Sequence, residues 1–222
     1  MSTYVLMRVL ESMPSRYDRG IRLLTRGQLD QRYDWLATHV QAQDHVLDIG
    51  CGTGALTLRA AQQGAHVCAI DVNPEMLKIA RHRATSAKVD EQVEFRELGV
   101  AELDEEPLAS YDVILSGLCF SELTADEQRY TLRQAQQLLK AGGLLLIADE
   151  VLPESGVLRL LHWLLKAPLA TLAYLLTQTT TTAVADLPGQ VVDAEFAVEA
   201  MQTNRLHDFV ALVARKVDGG TR

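Results

Sequence analysis

Apolar runs bounded by turn residues alternate with amphipathic stretches along most of the chain. The runs predict strands near 45–49, 66–71, 93–98, 111–116, 144–149, 197–203 and 209–216. The stretches between them predict helices near 54–63, 74–88, 125–140 and 188–195, after an N-terminal helical region at about 17–40. Asn73-Pro74 supplies an N-cap followed by proline at the first helical position, and Thr124-Ala125-Asp126-Glu127 reads as a capping box. Gly142-Gly143 reads as the stop of a helix before Leu144–Ala148, a continuous apolar run suited to a central parallel strand. Strand–helix alternation of this kind predicts an α/β fold, a doubly wound and mostly parallel sheet with ligands at the strand C-terminal ends. The last two strand runs follow each other closely, which predicts an antiparallel hairpin at the sheet edge.

One segment breaks the alternation. Residues 151–187 insert a stretch with leucines at 158, 161, 165, 169, 172 and 176, a helical spacing. Arg159, His162 and Lys166 fall together on another face. The two cations Arg159 and Lys166, with Pro168, argue against a transmembrane helix and for a pair of short helices kinked at the proline. Two uses stay open: packing as core or as a homodimer interface, or an apolar lid over a hydrophobic substrate, resting by its basic face on a membrane surface. The whole of 1–222 reads as a single domain, with a helical cap over 1–43 and this insert as its two additions.

Composition narrows the partners. A formal charge of −8 argues against a broad nucleic-acid footprint, which needs a basic surface. The three cysteines, Cys51, Cys68 and Cys119, have no C-x-x-C pairing, so neither a disulfide framework nor a metal site is expected. The N-terminal residues lack the layout of a secretion signal, and a cytoplasmic location is expected.

The chemistry concentrates in Val46-Leu47-Asp48-Ile49-Gly50-Cys51-Gly52-Thr53-Gly54, a strand that breaks into a glycine loop and opens a helix. Asp71 ends the next apolar run, as the terminal acid of a nucleotide-binding βαβ unit does. A dinucleotide site wants its third glycine one position later, where Ala55 stands, and an acid at Asp48 would repel a pyrophosphate. That acid suits a cationic ligand head. Asp48-Ile49-Gly50-Cys51-Gly52-Thr53-Gly54 closely resembles the first motif, D/E-x-G-x-G-x-G, of class I S-adenosylmethionine (SAM)-dependent methyltransferases. The resemblance covers roughly residues 15–150 and 188–216 and implies the Rossmann-like, seven-stranded sheet of that class. It implies that the glycines admit the methionine part of SAM and that Asp71 binds both ribose hydroxyls.

Gly99-Val100-Ala101-Glu102-Leu103 resembles the family's adenine segment G-D-A-x-x-L, with Val100 in place of its acid and Glu102 as a shifted carboxylate. Arg16-Tyr17-Asp18-Arg19-Gly20 is similar to the entry of ubiquinone/menaquinone-type methyltransferases, whose tyrosine lies near the SAM carboxylate; the usual asparagine is missing here. Taken together, the resemblance implies cofactor contacts at Tyr17, Asp48, Gly50, Cys51, Gly52, Asp71, Val72, Ala101, Glu102 and Ser116. The run Gly117–Leu123 with Tyr17–Gly20 also looks like a group of corrinoid-protein-associated methyltransferases, which would imply a corrinoid protein as partner.

Methyl transfer is an in-line displacement that needs positioning, water exclusion and, for some acceptors, a base. Cys119 and Glu122, in the loop after the fourth strand, and Asp149, at the end of the fifth, are the candidates for acceptor contact or proton removal. The expected function is methyl transfer from SAM to a small or lipophilic acceptor, without a metal. The alternatives are a non-catalytic SAM-binding partner of a corrinoid protein, and a nicotinamide oxidoreductase, which Asp48 and the early third glycine disfavour.

Overall fold

A computed structural model describes residues 28–152, 183–204 and 206–217. Its strands are β1 (His45–Ile49), β2 (His66–Asp71), β3 (Val93–Glu97), β4 (Tyr111–Gly117), β5 (Leu139–Glu150), β6 (Phe196–Thr203) and β7 (Phe209–Lys216). Between them run α1 (Gln28–Ala37), α2 (Ala55–Gln62), α3 (Pro74–Ala87), α4 (Ala125–Leu138) and α5 (Leu187–Asp193). The expected elements over the N-terminal residues before Gln28, including Tyr17, and over most of the insert lie outside the described residues. Among the described residues no helix is long and apolar enough to cross a membrane.

The strands form one seven-stranded sheet in the order β3-β2-β1-β4-β5-β7-β6. The pairs from β3 through β5 are parallel, whereas β7 runs antiparallel to both β5 and β6. The expected C-terminal hairpin is present, with β7 inserted beside β5 and β6 left at the edge. Chain order reverses between β1 and β4, the switch point at which open α/β sheets place their ligands. Alternation along each strand divides the core. Val46, Leu115 and Leu146 pack on the α1–α2 side, and Leu47, Ile114 and Ile147 on the α4–α5 side.

The caps follow the sequence signals. Asn73 Oδ1 accepts from the Glu75 and Met76 N–H groups, and Thr124 and Glu127 make the reciprocal bonds of a capping box. One boundary differs. Helix α4 ends at Leu138, and β5 already begins at Leu139, so Gly142-Gly143 lies inside the strand rather than before it. The register against β4 jumps from Tyr111↔Leu139 to Val113↔Leu144, and Gly142 takes the positive φ of 68° that this irregularity requires.

A 3₁₀ segment, Val100–Glu105, replaces a full helix between β3 and β4. It is anchored at its C-terminal side by Glu106, whose buried carboxylate accepts from Arg96 Nη1 at 2.6 Å and from the Tyr111 hydroxyl at 2.5 Å. Removing one member of such a set leaves the others inadequately paired. Glu106→Ala is therefore expected to lower the unfolding free energy by about 2–4 kcal/mol in urea titration, and a change below about 0.5 kcal/mol would refute this anchoring role.

Candidate active site

The backbone between β1 and α2 turns through Gly50, Gly52 and Gly54 at φ values of 69°, 54° and 81°. A side chain at position 50 is ruled out twice, because its Cβ would also lie 2.5 Å from Cys119 Sγ. At Gly52 a Cβ would meet nothing within 4 Å, so the turn presents bare backbone to open space. Hydrogen bonds hold the turn against β2: the Cys51 N–H donates to Ile70 O at 2.9 Å, and the Gly52 N–H to Asp71 Oδ2 at 2.7 Å. Asp71 Oδ1 accepts from the Asn73 N–H at 2.8 Å, which fixes the carboxylate at the strand end.

Above this turn lies a cavity of about 540 Å³. The glycine turn, Asp71 and Val72 wall one end; Leu98, Val100 and Ala101 flank them; Leu118, Cys119, Glu122 and Leu123 wall the other. Among the predicted cofactor residues the structure thus brings together Gly50, Cys51, Gly52, Asp71, Val72 and Ala101, together with the acceptor-side candidates Cys119 and Glu122.

Four predicted residues stand elsewhere. Asp48 is buried beneath the turn, on the α2 side, where Oδ2 accepts from the Thr57 hydroxyl at 2.5 Å and Oδ1 has no hydrogen-bond partner. Ser116 is buried and donates to Ile49 O at 3.2 Å, bracing β4 against β1. Glu102 folds back to accept from the Gly99 N–H at 2.8 Å, so its carboxylate caps the 3₁₀ segment. Asp149 is also off the cavity, its oxygens accepting from the Ser121 and Glu150 N–H groups. The physical reason is common to Asp48 and Asp149. Alternation turns each away from its cavity-side neighbours and into the packing between sheet and helices.

Other residues in the wall carried no glycine or acid signature. Tyr33 of α1 packs so closely over Gly117 that a Cβ there would lie 2.5 Å from its hydroxyl oxygen. Arg59 ties α2 to α1 through Asp30 at 2.9 Å and Asp34 at 2.6 Å, and Arg83 Nη1 donates to Thr53 O and Oγ1 at 2.9 Å. The lining cations thus serve as braces of the turn and its flanking helices. Salt-bridge spacing on helix faces is the signal that could have pointed to Arg59. Tyr33 has no such local signature.

The two acceptor-side candidates differ in burial. Burial pushes the Cys119 thiol well up, reinforced by the carboxylates of Glu122, Asp149 and Asp71, so it stays protonated near neutrality. Cys119 packs against the glycine turn at Gly50. Glu122 is exposed and lines the cavity.

The cavity fits SAM. Open backbone at Gly52 leaves room beside the turn, and carboxylate oxygens can accept more than one hydrogen bond each, so Asp71 can bind hydroxyls while holding the loop. The apolar flank of Val72, Leu98 and Val100 suits a flat base. A pyrophosphate fits poorly, because the Gly54 N–H is already donated to Cys51 O at 2.9 Å and Asp48 lies directly under the turn.

Comparison with known proteins agrees. Residues 46–143 match the family model for a methyltransferase domain. The chain is 30% identical over 162 residues to a ubiquinone biosynthesis O-methyltransferase of Xylella fastidiosa, covering 61% of this chain and 64% of that protein. It is 32% identical over 133 residues to a carboxy-S-adenosyl-L-methionine synthase of Dichelobacter nodosus, covering 59% and 54%. An O-methyltransferase family protein of Burkholderia thailandensis shares the fold with a TM-score of 0.72 at 19% identity, over 93% of this chain and 60% of that one. The glycine motif and the sheet order both lie within or around the segment that matches a methyltransferase domain. The chain spans between about half and two thirds of the length of the curated relatives it matches.

Asp48 gives the site a measurable signature. Burial pushes its carboxyl up to about 7, opposed by the Thr57 hydrogen bonds and aided by repulsion from Asp71. The folded state therefore holds this proton more tightly than the unfolded chain, where an aspartate titrates near about 3.9. Ionising Asp48 costs stability progressively as pH rises from about 4 through about 7. Asp48→Asn keeps an acceptor for Thr57 and removes the charge. Its melting temperature relative to the parent is expected to rise between about pH 4 and about pH 7 and to level off above, whereas a difference independent of pH would contradict the assignment.

Proposed function

We propose that the protein transfers the methyl group of SAM to a small, lipophilic acceptor. The observation that carries this reading is the pairing of an open glycine turn with the Asp71 carboxylate at the end of β2, in a cavity whose opposite wall is largely apolar. When bound, SAM supplies an electrophilic methyl on a sulfonium. The residues of this chain bind, orient and exclude water. In this reading Gly50–Thr53 and Asp71 hold the cofactor, Leu118 and Leu123 offer an apolar surface to the acceptor, and Glu122 takes a proton from it; their lining of one cavity supports these roles. The names of the relatives that match as ubiquinone biosynthesis O-methyltransferases support a hydroxyl as the accepting group on a lipophilic body. The free thiols of Cys51, Cys68 and Cys119 support a reducing, cytoplasmic setting. No described residue favours a corrinoid partner, and the turn geometry disfavours the nicotinamide alternative.

Calorimetric titration with S-adenosylhomocysteine (SAH) tests the cofactor assignment. Asp71→Ala is expected to weaken binding about a hundredfold, as the loss of charge-assisted hydrogen bonds to two hydroxyls implies. Unchanged affinity in that variant would overturn the assignment, provided its thermal melt remains cooperative. With methyl-labelled SAM and a panel of lipophilic phenols, Glu122→Gln is expected to lower kcat by about a hundredfold or more while leaving SAH affinity intact. Full turnover by that variant would exclude Glu122 as the base.

A further inference from the structure

The loop Leu118–Leu123 closes the acceptor end of the cavity, yet few backbone hydrogen bonds hold it. Leu118 takes a positive φ of 59° and donates its N–H to Ala148 O at 2.8 Å. Beyond that, the Glu122 and Leu123 N–H groups close a single 3₁₀ turn onto Cys119 O and Phe120 O. Such a loop would have several conformations of similar energy unless something outside it chose one.

Two buried polar side chains meet it from behind. Asp149, fully buried at the end of β5, accepts from the Ser121 N–H through Oδ2 at 3.3 Å, while Oδ1 accepts from its neighbour Glu150 at 2.7 Å. Gln128, buried on α4, donates from Nε2 to Phe120 O at 2.8 Å and to Leu123 O at 3.1 Å. The amide orientation of Gln128 is set in turn by Gln190 of α5, whose Nε2 donates to Gln128 Oε1 at 3.2 Å and to Ala185 O at 2.8 Å. Neither Asp149 nor Gln128 lines the cavity.

We infer that Asp149 and Gln128 are positioning residues: acting through the backbone of Phe120, Ser121 and Leu123, they set where Cys119 and Glu122 stand in the cavity. The purpose given to the loop rests on the methyltransferase reading; the hydrogen bonds themselves do not. An apolar residue at either position would pack as well but would leave Ser121 N–H, or two carbonyls, without a partner. Burying a carboxyl and an amide so completely is otherwise unfavourable, and here each satisfies backbone groups of one loop.

The groups that face Asp149 are the Cys119 thiol on the loop, Glu150 on its own strand, and the apolar Val210 opposite it on β7. Burial pushes the Asp149 carboxyl up to about 7, against the hydrogen bonds it receives from Ser121 and Glu150. The Ser121 hydrogen bond therefore gains its charge as pH rises through neutrality.

NMR of the isotope-labelled full chain tests this directly. Between about pH 5.5 and about pH 8.5 the Ser121 amide proton is expected to move downfield with a midpoint near neutrality, with the amides of residues 118–123 following. In Asp149→Asn the same proton should stay near its low-pH position throughout. In Gln128→Leu, hydrogen exchange of the loop amides is expected to quicken about tenfold or more while those of β5 hold. A Ser121 amide that does not titrate in the parent protein, or titrates equally in Asp149→Asn, overturns the role of Asp149. Unchanged loop exchange in Gln128→Leu overturns that of Gln128. SAH affinity measured on the same samples reports separately on the methyltransferase reading, so each idea fails on its own result.

Discussion

The turn from Ile49 to Ala55 runs through three glycines at positive φ, and the geometry of the site depends on it. A residue with a Cβ at position 50 would collide with Cys119, so the loop after β4 can approach only because this position is bare. The turn is in turn pinned to β2 by the Cys51 N–H and by Asp71. Glycine turn, Asp71 and the loop after β4 are thus one mechanical unit at the mouth of β1, β2 and β4. Parallel pairing supplies the rest of the rigidity, because every strand at the switch point is hydrogen-bonded on both sides.

Two carboxylates buried on opposite faces of the sheet support this unit from below. Asp48 braces the first turn of α2 through Thr57, and Asp149 braces the loop after β4 through Ser121. Both are pushed up to about 7 by burial, so both are held at a cost to stability at neutral pH. That cost is consistent with work at the site rather than in the core. Asp48 differs in having one oxygen with no hydrogen-bond partner directly under the glycine turn. Its field reaches the cavity through backbone rather than by contact, and a cation held there would favour its ionised form.

Most of the fold was legible because the apolar runs are continuous and their ends carry strong local signals. Asn73-Pro74 and the Thr124 box set helix starts, and the spacing of β6 and β7 required an antiparallel return. The start of β5 is hidden in the sequence because Gly142-Gly143 looks locally like a helix stop, whereas it is the register against β4 that places these glycines within a strand. In the site, the glycines, Asp71 and Ala101 were legible as a motif. The orientation of Asp48 and Asp149 was not, although strict alternation from Leu47 and Ile147 places both among the packed helices. Tyr33 could not be found from spacing at all, since its role arises only when α1 folds across Gly117.

The two ends of the cavity are built on different principles, and this has a consequence for how the fold can vary. At the glycine-turn end, position is set by backbone conformation, which tolerates almost no substitution at Gly50 and little at Asp71. At the opposite end, the backbone of the loop is set by side chains reaching it from β5 and α4, with α5 orienting one of them. A change in those supporting residues can move Cys119 and Glu122 without disturbing the glycine turn, except through the single close contact at Gly50. That contact limits how far the loop can shift. This wall of the cavity can therefore be reshaped from outside it, within a range set by the space a glycine leaves.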